Sequence, residues 1–287
     1  MIKLSFVSVN YSYGPKLLNA YQIPYSAGCL WTYVEHVSEI VRDSYQFEHL
    51  LWRRTPIEEA CEQLKDQDIV CFSSYIWNKN YSYTLAKKLK DINPDITIVF
   101  GGPEPPVTDI NFFLNYPYID YVVLKEGEEV FKELLESFVT GADAHTVKGL
   151  LINNKGNTVN TGEAERLSSL DNLPSPYLTG FFDKIIADNP DVKWSAIFET
   201  NRGCPYQCTF CDWGSLTYSK FRKFELERCI AELEWFGKNQ MDFVYIADSN
   251  FGVFYERDMA IAKKLAEVMS TYNHPKDFNL TWAKNQN

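Results

Sequence analysis

From residue 1 to about 140, short apolar runs alternate with segments of helical period. The strand-like runs are 2–9, 47–52, 69–73, 96–100 and 121–124, and helical patterns fill 29–41, 57–64, 83–91, 109–114 and 129–138. Five short, β-branched-rich runs separated by helices predict a parallel sheet covered on both faces, a doubly wound α/β domain. Such sheets take ligands at the carboxyl ends of their strands, near the point where strand order switches.

The residues following those runs are polar or small. The first run ends in Asn10-Tyr-Ser-Tyr-Gly14 and the third in Ser73-Ser74-Tyr75. The fourth ends in Gly101-Gly-Pro-Glu-Pro-Pro106 and the fifth in Lys125-Glu-Gly-Glu-Glu129. Glycines there permit a close ligand approach, or simply a tight turn.

After this block the period changes. Residues 147–161 read as a hairpin around Asn-Lys-Gly, and 167–177 is rich in turn formers and proline, as linkers are. A second strand–helix series then begins: strand 195–199, helix 226–236, strand 243–247, helix 259–272 and an apolar run at 278–282. The expected division is a first domain over 1–140, a hairpin and linker over 141–190, and a second domain over 191–287.

Composition narrows the setting. The 287 residues are 45% hydrophobic, enough for two cored domains, and the net charge of −10 disfavours a nucleic-acid partner. The densest basic stretch, Lys220-Phe-Arg-Lys223, is short, and no apolar run approaches the roughly 20 residues of a membrane span. Met1 leads straight into an apolar strand, and seven cysteines is an odd count. A soluble protein of the reducing cytoplasm, without disulfides, is expected.

Three of those cysteines carry most of the chemical information. Cys204, Cys208 and Cys211 are spaced C-x3-C-x2-C in Glu199-Thr-Asn-Arg-Gly-Cys-Pro-Tyr-Gln-Cys-Thr-Phe-Cys-Asp-Trp-Gly214. Three thiolates within eight residues suit an iron–sulfur cluster and leave one iron of a cubane without a protein ligand. A structural zinc site would want a fourth ligand, usually from a second pair, and the other cysteines and the four histidines are scattered. Zinc or buried thiols remain the alternative. Cys61, Cys71 and Cys229 fall in apolar, periodic segments, where cysteine is usually a small buried hydrophobe.

The cysteine spacing, the aromatic Phe210 just before the last cysteine, the preceding Arg202-Gly203 and the strand at 195–199 together resemble the radical S-adenosylmethionine (SAM) superfamily. The resemblance implies a [4Fe–4S] cluster on Cys204, Cys208 and Cys211 whose open iron chelates SAM. An electron from an external donor then cleaves SAM to methionine and a 5′-deoxyadenosyl radical. It also implies a partial (β/α)6 barrel, of which about three units fit before Asn287. A missing region or a second chain is expected to complete it, because half a barrel leaves an unpaired edge. Where the family has a Gly-Gly-Glu-like segment after the second barrel strand, this chain has Ala247-Asp-Ser-Asn-Phe-Gly252. SAM contacts are therefore expected from Phe210, Asp248, Ser249 and Asn250, with the alternative that Asp248 only caps a turn. Tyr206, Trp213 and Tyr218 flank the cysteines, and Arg202 and Lys223 lie nearby. The aromatics suit shielding of a cluster or plain core, with core the reading for Trp213, and the two cations suit steering the cluster's potential, holding a carboxylate, or simple solvation.

The N-terminal strand ends resemble the cobalamin-binding domain that precedes many radical SAM domains. That implies corrinoid contacts from Tyr11, Ser73, Ser74, Gly101, Gly102, Glu126 and Gly127. One departure stands out: the Asp-x-His-x-x-Gly of domains that supply a lower histidine ligand is missing, and His36 is no substitute for it. The expected function is SAM cleavage by a cobalamin-dependent radical SAM enzyme, with methyl transfer to an unactivated centre among the family's outcomes. The rivals are a corrinoid-free radical SAM enzyme and a non-catalytic corrinoid or iron–sulfur protein. The residues that select a substrate lie on later strands in the family, so the substrate is not legible.

Overall fold

The computed structural model describes residues 1–10, 19–106, 108–204, 206 and 221–283. The chain forms two compact units, Met1–Tyr11 with Ser26–Arg166 and Ser12–Tyr25 with Leu167–Asn287.

The strands, in chain order, begin with β1 (Ile2–Asn10), β2 (Ala20–Gln22), β3 (Tyr45–Arg53), β4 (Ile69–Ser73) and β5 (Thr97–Gly101). Then come β6 (Tyr121–Val123), β7 (Leu150–Asn154), β8 (Asn157–Asn160) and β9 (Lys193–Phe198). The last are β10 (Asn201–Arg202), β11 (Arg222–Lys223), β12 (Phe243–Ile246) and β13 (Asp277–Asn279).

The first unit is built on one sheet in the order β3-β1-β4-β5-β6-β7-β8. Its first five strands are parallel, in the order 2-1-3-4-5 when counted among themselves, so the switch in strand order lies between β1 and β4. Leu4 to Val9 are buried one after another, Ser5 and Ser8 included, because helices cover both faces of β1. Val7, Val70, Phe72, Ile98 and Phe100 form the core with Leu85, Ala86 and Leu89 of the helix Lys79–Ile92.

Two segments differ from the sequence pattern. The single helix expected over 29–41 is two helices, Tyr25–Val37 and Glu39–Ser44. Ser38 interrupts it: its hydroxyl oxygen accepts the Val41 N–H at 3.2 Å and its proton goes to Glu136 at 2.6 Å, so a new helix starts. The hairpin expected between the domains is β7–β8, and it pairs antiparallel with β6, burying Leu150, Leu151 and Ile152 on the first sheet. Its polar turn conceals that role. Lys155 and Gly156 both have positive φ, the geometry of a tight two-residue hairpin loop.

The second unit carries a four-stranded parallel sheet in the order β13-β12-β9-β2. Three of these strands follow the predicted strand–helix series. β2 has no sequence signature, because three residues carry no period; pairing with β9 makes it a strand. The helices Leu226–Lys238 and Tyr255–Tyr272 pack closely, and Gly237 permits this. A Cβ there would lie 2.5 Å from the Tyr272 ring and 2.6 Å from Val268.

Candidate functional site

In the second unit, the antiparallel ribbon β10–β11 pairs Asn201 with Lys223 and Arg202 with Arg222. The ribbon forms a narrow neck between the two stretches that flank, in sequence, the three cysteines. The Phe224 N–H extends the ribbon by donating to the Thr200 carbonyl at 3.0 Å.

A buried polar network grips this neck. The Asp248 carboxylate, at the end of β12 and 3% exposed, accepts the Thr200 N–H at 2.8 Å and the Asn201 N–H at 3.1 Å. It also accepts the Thr200 hydroxyl and the Asn201 side-chain amide, the latter at 2.7 Å. Arg257 spans both strands of the neck, donating to the Thr200 carbonyl at 2.9 Å and the Phe224 carbonyl at 2.7 Å. Asp258 accepts the Gly252 N–H at 2.7 Å and the Phe254 N–H at 3.1 Å, holding the turn after β12. Burial pushes the Asp248 carboxyl up to about 7, against the pull of the Thr200 and Asn201 donors.

This geometry changes the reading of the Ala247–Gly252 turn. Asp248 was expected to face the SAM ammonium or cap the following turn; both of its oxygens are instead engaged by Thr200 and Asn201. The Ser249 hydroxyl donates to the Gly203 carbonyl at 2.6 Å. The Asn250 side-chain amide donates to Cys204 Sγ at 3.2 Å and to Ser249 Oγ at 2.9 Å. The turn thus braces the start of the cysteine segment. Thr200, Asn201 and Arg257 were missed because only the fold brings them to Asp248.

Cys204 is half-buried and has this N–H donor on its sulfur, an environment that suits a thiolate ligand. Cys208, Cys211, Phe210, Trp213 and Tyr218 lie outside the described residues, as does Tyr11 of the first unit. Tyr206 is described and half-buried. Cys61, Cys71 and Cys229 are buried and poor ligands. Burial raises the thiols of Cys61 and Cys71 and pushes that of Cys229 up to about 12. Among the described residues, no group of three His, Cys, Asp or Glu side chains gathers to hold a metal.

In the first unit, the described strand-end residues expected at a ligand site fall along one edge of the sheet. Ser73 and Gly101 are register partners at the ends of β4 and β5, while Glu126 and Gly127 follow β6. The Ser73 hydroxyl lies 2.8 Å from that of Ser26. Ser74 is fully buried and donates its N–H to the Gly101 carbonyl at 2.8 Å. Gly102 has a physical reason to be glycine: its φ is +98° and a Cβ would lie 2.5 Å from the Ser74 carbonyl oxygen. Its close approach is therefore to the neighbouring backbone. At Gly101 the nearest atom to an added Cβ is 3.9 Å away, so that position has room. Gly127 precedes the helix Glu128–Thr140. His36 is exposed in the last turn of its helix.

The B12 binding domain family matches residues 35–135. Over 94% of its length the chain is 38% identical to a cobalamin-dependent radical SAM methyltransferase, TokK, of Streptomyces tokunonensis. It is 36% identical, over 92% of its length, to the 2-(S-pantetheinyl)-carbapenam-3-carboxylate methyltransferase of Streptantibioticus cattleyicolor. The chain belongs to the cobalamin-binding radical SAM superfamily. It spans 40% and 39% of the lengths of these two relatives. A solved superfamily structure, the methyltransferase TsrM of Kitasatospora setae with cobalamin and a [4Fe-4S] cluster bound, matches with a TM-score of 0.66. That match covers 96% of this chain and 53% of TsrM, and at 15% identity it shows the shared fold. Among the described residues no helix is long and apolar enough to cross a membrane.

Proposed function

We propose that this chain carries the corrinoid-binding and cluster-binding parts of a cobalamin-dependent radical SAM methyltransferase. The observation that carries this reading is the 38% identity, along almost the whole chain, to a protein of that activity. The half-buried Cys204 on its braced neck and the alignment of polar strand ends on the first sheet are consistent with it.

Cys204, Cys208 and Cys211 would hold the cluster, and the ends of β4, β5 and β6 would hold the corrinoid. When bound, these groups supply a low-potential electron for cleaving SAM and a carrier for the methyl group. The chain's own residues orient and shield. Asp248 and Arg257 close the neck of the cysteine segment, Ser249 and Asn250 fix its first ligand, and Gly102 with Ser74 shapes the sheet edge. A reducing cytoplasmic setting and an external electron donor are part of the same reading.

Anaerobic reconstitution with iron, sulfide and hydroxocobalamin, then desalting, one absorption spectrum and metal analysis, tests it. The expected result is about four irons and a retained corrinoid band per chain. Iron without corrinoid would make the first unit structural, and zinc without iron would overturn the radical reading. Formation of 5′-deoxyadenosine from SAM then separates an enzyme from a passive carrier. The relative from Streptantibioticus cattleyicolor suggests 2-(S-pantetheinyl)-carbapenam-3-carboxylate as the first methyl acceptor to assay.

A further inference from the structure

We propose that Asn250 tunes the reduction potential of the cluster through a hydrogen bond to Cys204, an inference that rests on the cluster reading above. Proton counting fixes the orientation of its amide. The single hydroxyl proton of Ser249 is spent on the Gly203 carbonyl at 2.6 Å, so Ser249 Oγ can only accept from Asn250. The nitrogen, not the oxygen, of the Asn250 amide must therefore face Ser249, at 2.9 Å. Its second N–H reaches Cys204 Sγ at 3.2 Å. A flipped amide would set Oδ1 against a hydroxyl with no proton to share and a lone pair against the thiolate.

Asn250 is 2% exposed, so this dipole acts where water screens it little. One-electron reduction adds a negative charge that spreads onto the cysteine sulfurs. An N–H aimed at one sulfur stabilises the reduced state more than the oxidised one and raises the potential. Asn250 thereby eases reduction of the cluster before SAM is cleaved. The SAM contact expected of this residue from the sequence is not needed to explain its place.

The test is an EPR-monitored redox titration, without SAM, of the reconstituted chain and of Asn250→Leu and Asn250→Asp. Both variants lack N–H donors at this position while keeping a similar volume. The expected result is about four irons per chain in all three proteins. The midpoint should be more negative in both variants, and most negative in Asn250→Asp, which adds a charge. Unchanged midpoints at full iron content would overturn the inference.

If neither variant folds, the wild-type chain still decides. Pulsed EPR of its reduced cluster after selective 15N-asparagine labelling should show a 15N coupling and an exchangeable-deuteron coupling. Absence of both overturns the inference. A wild-type chain that takes up no iron overturns instead the cluster reading on which it rests.

Discussion

Asp248 and Thr200 are joined twice: one carboxylate oxygen accepts the threonine's main-chain N–H at 2.8 Å and the other accepts its hydroxyl. This double contact ties the end of β12 to the exit of β9, where the cysteine segment begins. Asp248→Ala would leave the buried donors of Thr200 and Asn201 without an acceptor. Each such loss costs about 1–3 kcal/mol, and at least two are lost together, about 3–5 kcal/mol in sum. The variant should lose about 3–5 kcal/mol in urea denaturation and take up less iron on reconstitution. A loss below about 1 kcal/mol would mean that the neck holds without this latch.

The same carboxylate makes stability depend on pH with a definite sign. Burial raises its pKa from the ordinary 3.8 to about 7. Between those values the folded chain keeps a proton that the unfolded chain has released. The stabilisation is complete below pH 3.8 and is lost as pH rises through about 7. Asp248→Asn cannot titrate, so its stability should change less between pH 4.5 and 7.5. The wild-type-minus-variant difference should decline as pH rises, by an amount on the order of a few kcal/mol. Parallel stability curves for the two proteins would show that Asp248 titrates normally.

Cysteine substitution separates ligands from core. Cys204→Ala, Cys208→Ala and Cys211→Ala should each abolish iron uptake and SAM cleavage, because a cubane needs all three thiolates. Cys229→Ala should keep the iron. The residue is 1% exposed within the helix Leu226–Lys238, and its sulfur receives an Arg257 N–H at 3.2 Å. It should cost only the roughly 1–3 kcal/mol of a small buried deletion, read by iron analysis beside a denaturation curve. Loss of iron in this variant alone would place Cys229 among the ligands.

Legibility in the sequence followed how local each determinant is. The helix Ile57–Leu64 and the strand Ile69–Ser73 match their predicted bounds, since each carries its own apolar pattern. Ser38 could have announced a break, being a capping residue ahead of Glu39, but the apolar period runs through it. β2 and the ribbon β10–β11 are too short for any period and exist through pairing with distant residues. Within the candidate site, the cysteine spacing is local, so the chain displays it without help from the fold. The latch of Asp248 on Thr200 spans 48 positions, and only the pairing of β9 with β12 brings the two together.

Gly101 and Gly102 look alike in the sequence, yet the structure predicts opposite behaviour for them. At Gly102, alanine meets both a positive φ of +98° and the Ser74 carbonyl oxygen at 2.5 Å, and neither backbone can yield without distorting the pairing of β4 with β5. Gly102→Ala should cost about 2–3 kcal/mol and lose corrinoid with the fold of that edge. At Gly101 the nearest neighbours of a new Cβ are Val123 atoms at 3.9 and 4.0 Å, an ordinary contact, and alanine suits a strand better than glycine does. Gly101→Ala should therefore unfold within about 1 kcal/mol of wild type. If the corrinoid lies against this strand end, the new methyl group occupies its space, and corrinoid retained after desalting should drop while stability does not. Full corrinoid retention by Gly101→Ala would remove Gly101 from the binding edge and leave the contacts to Ser73, Glu126 and Gly127.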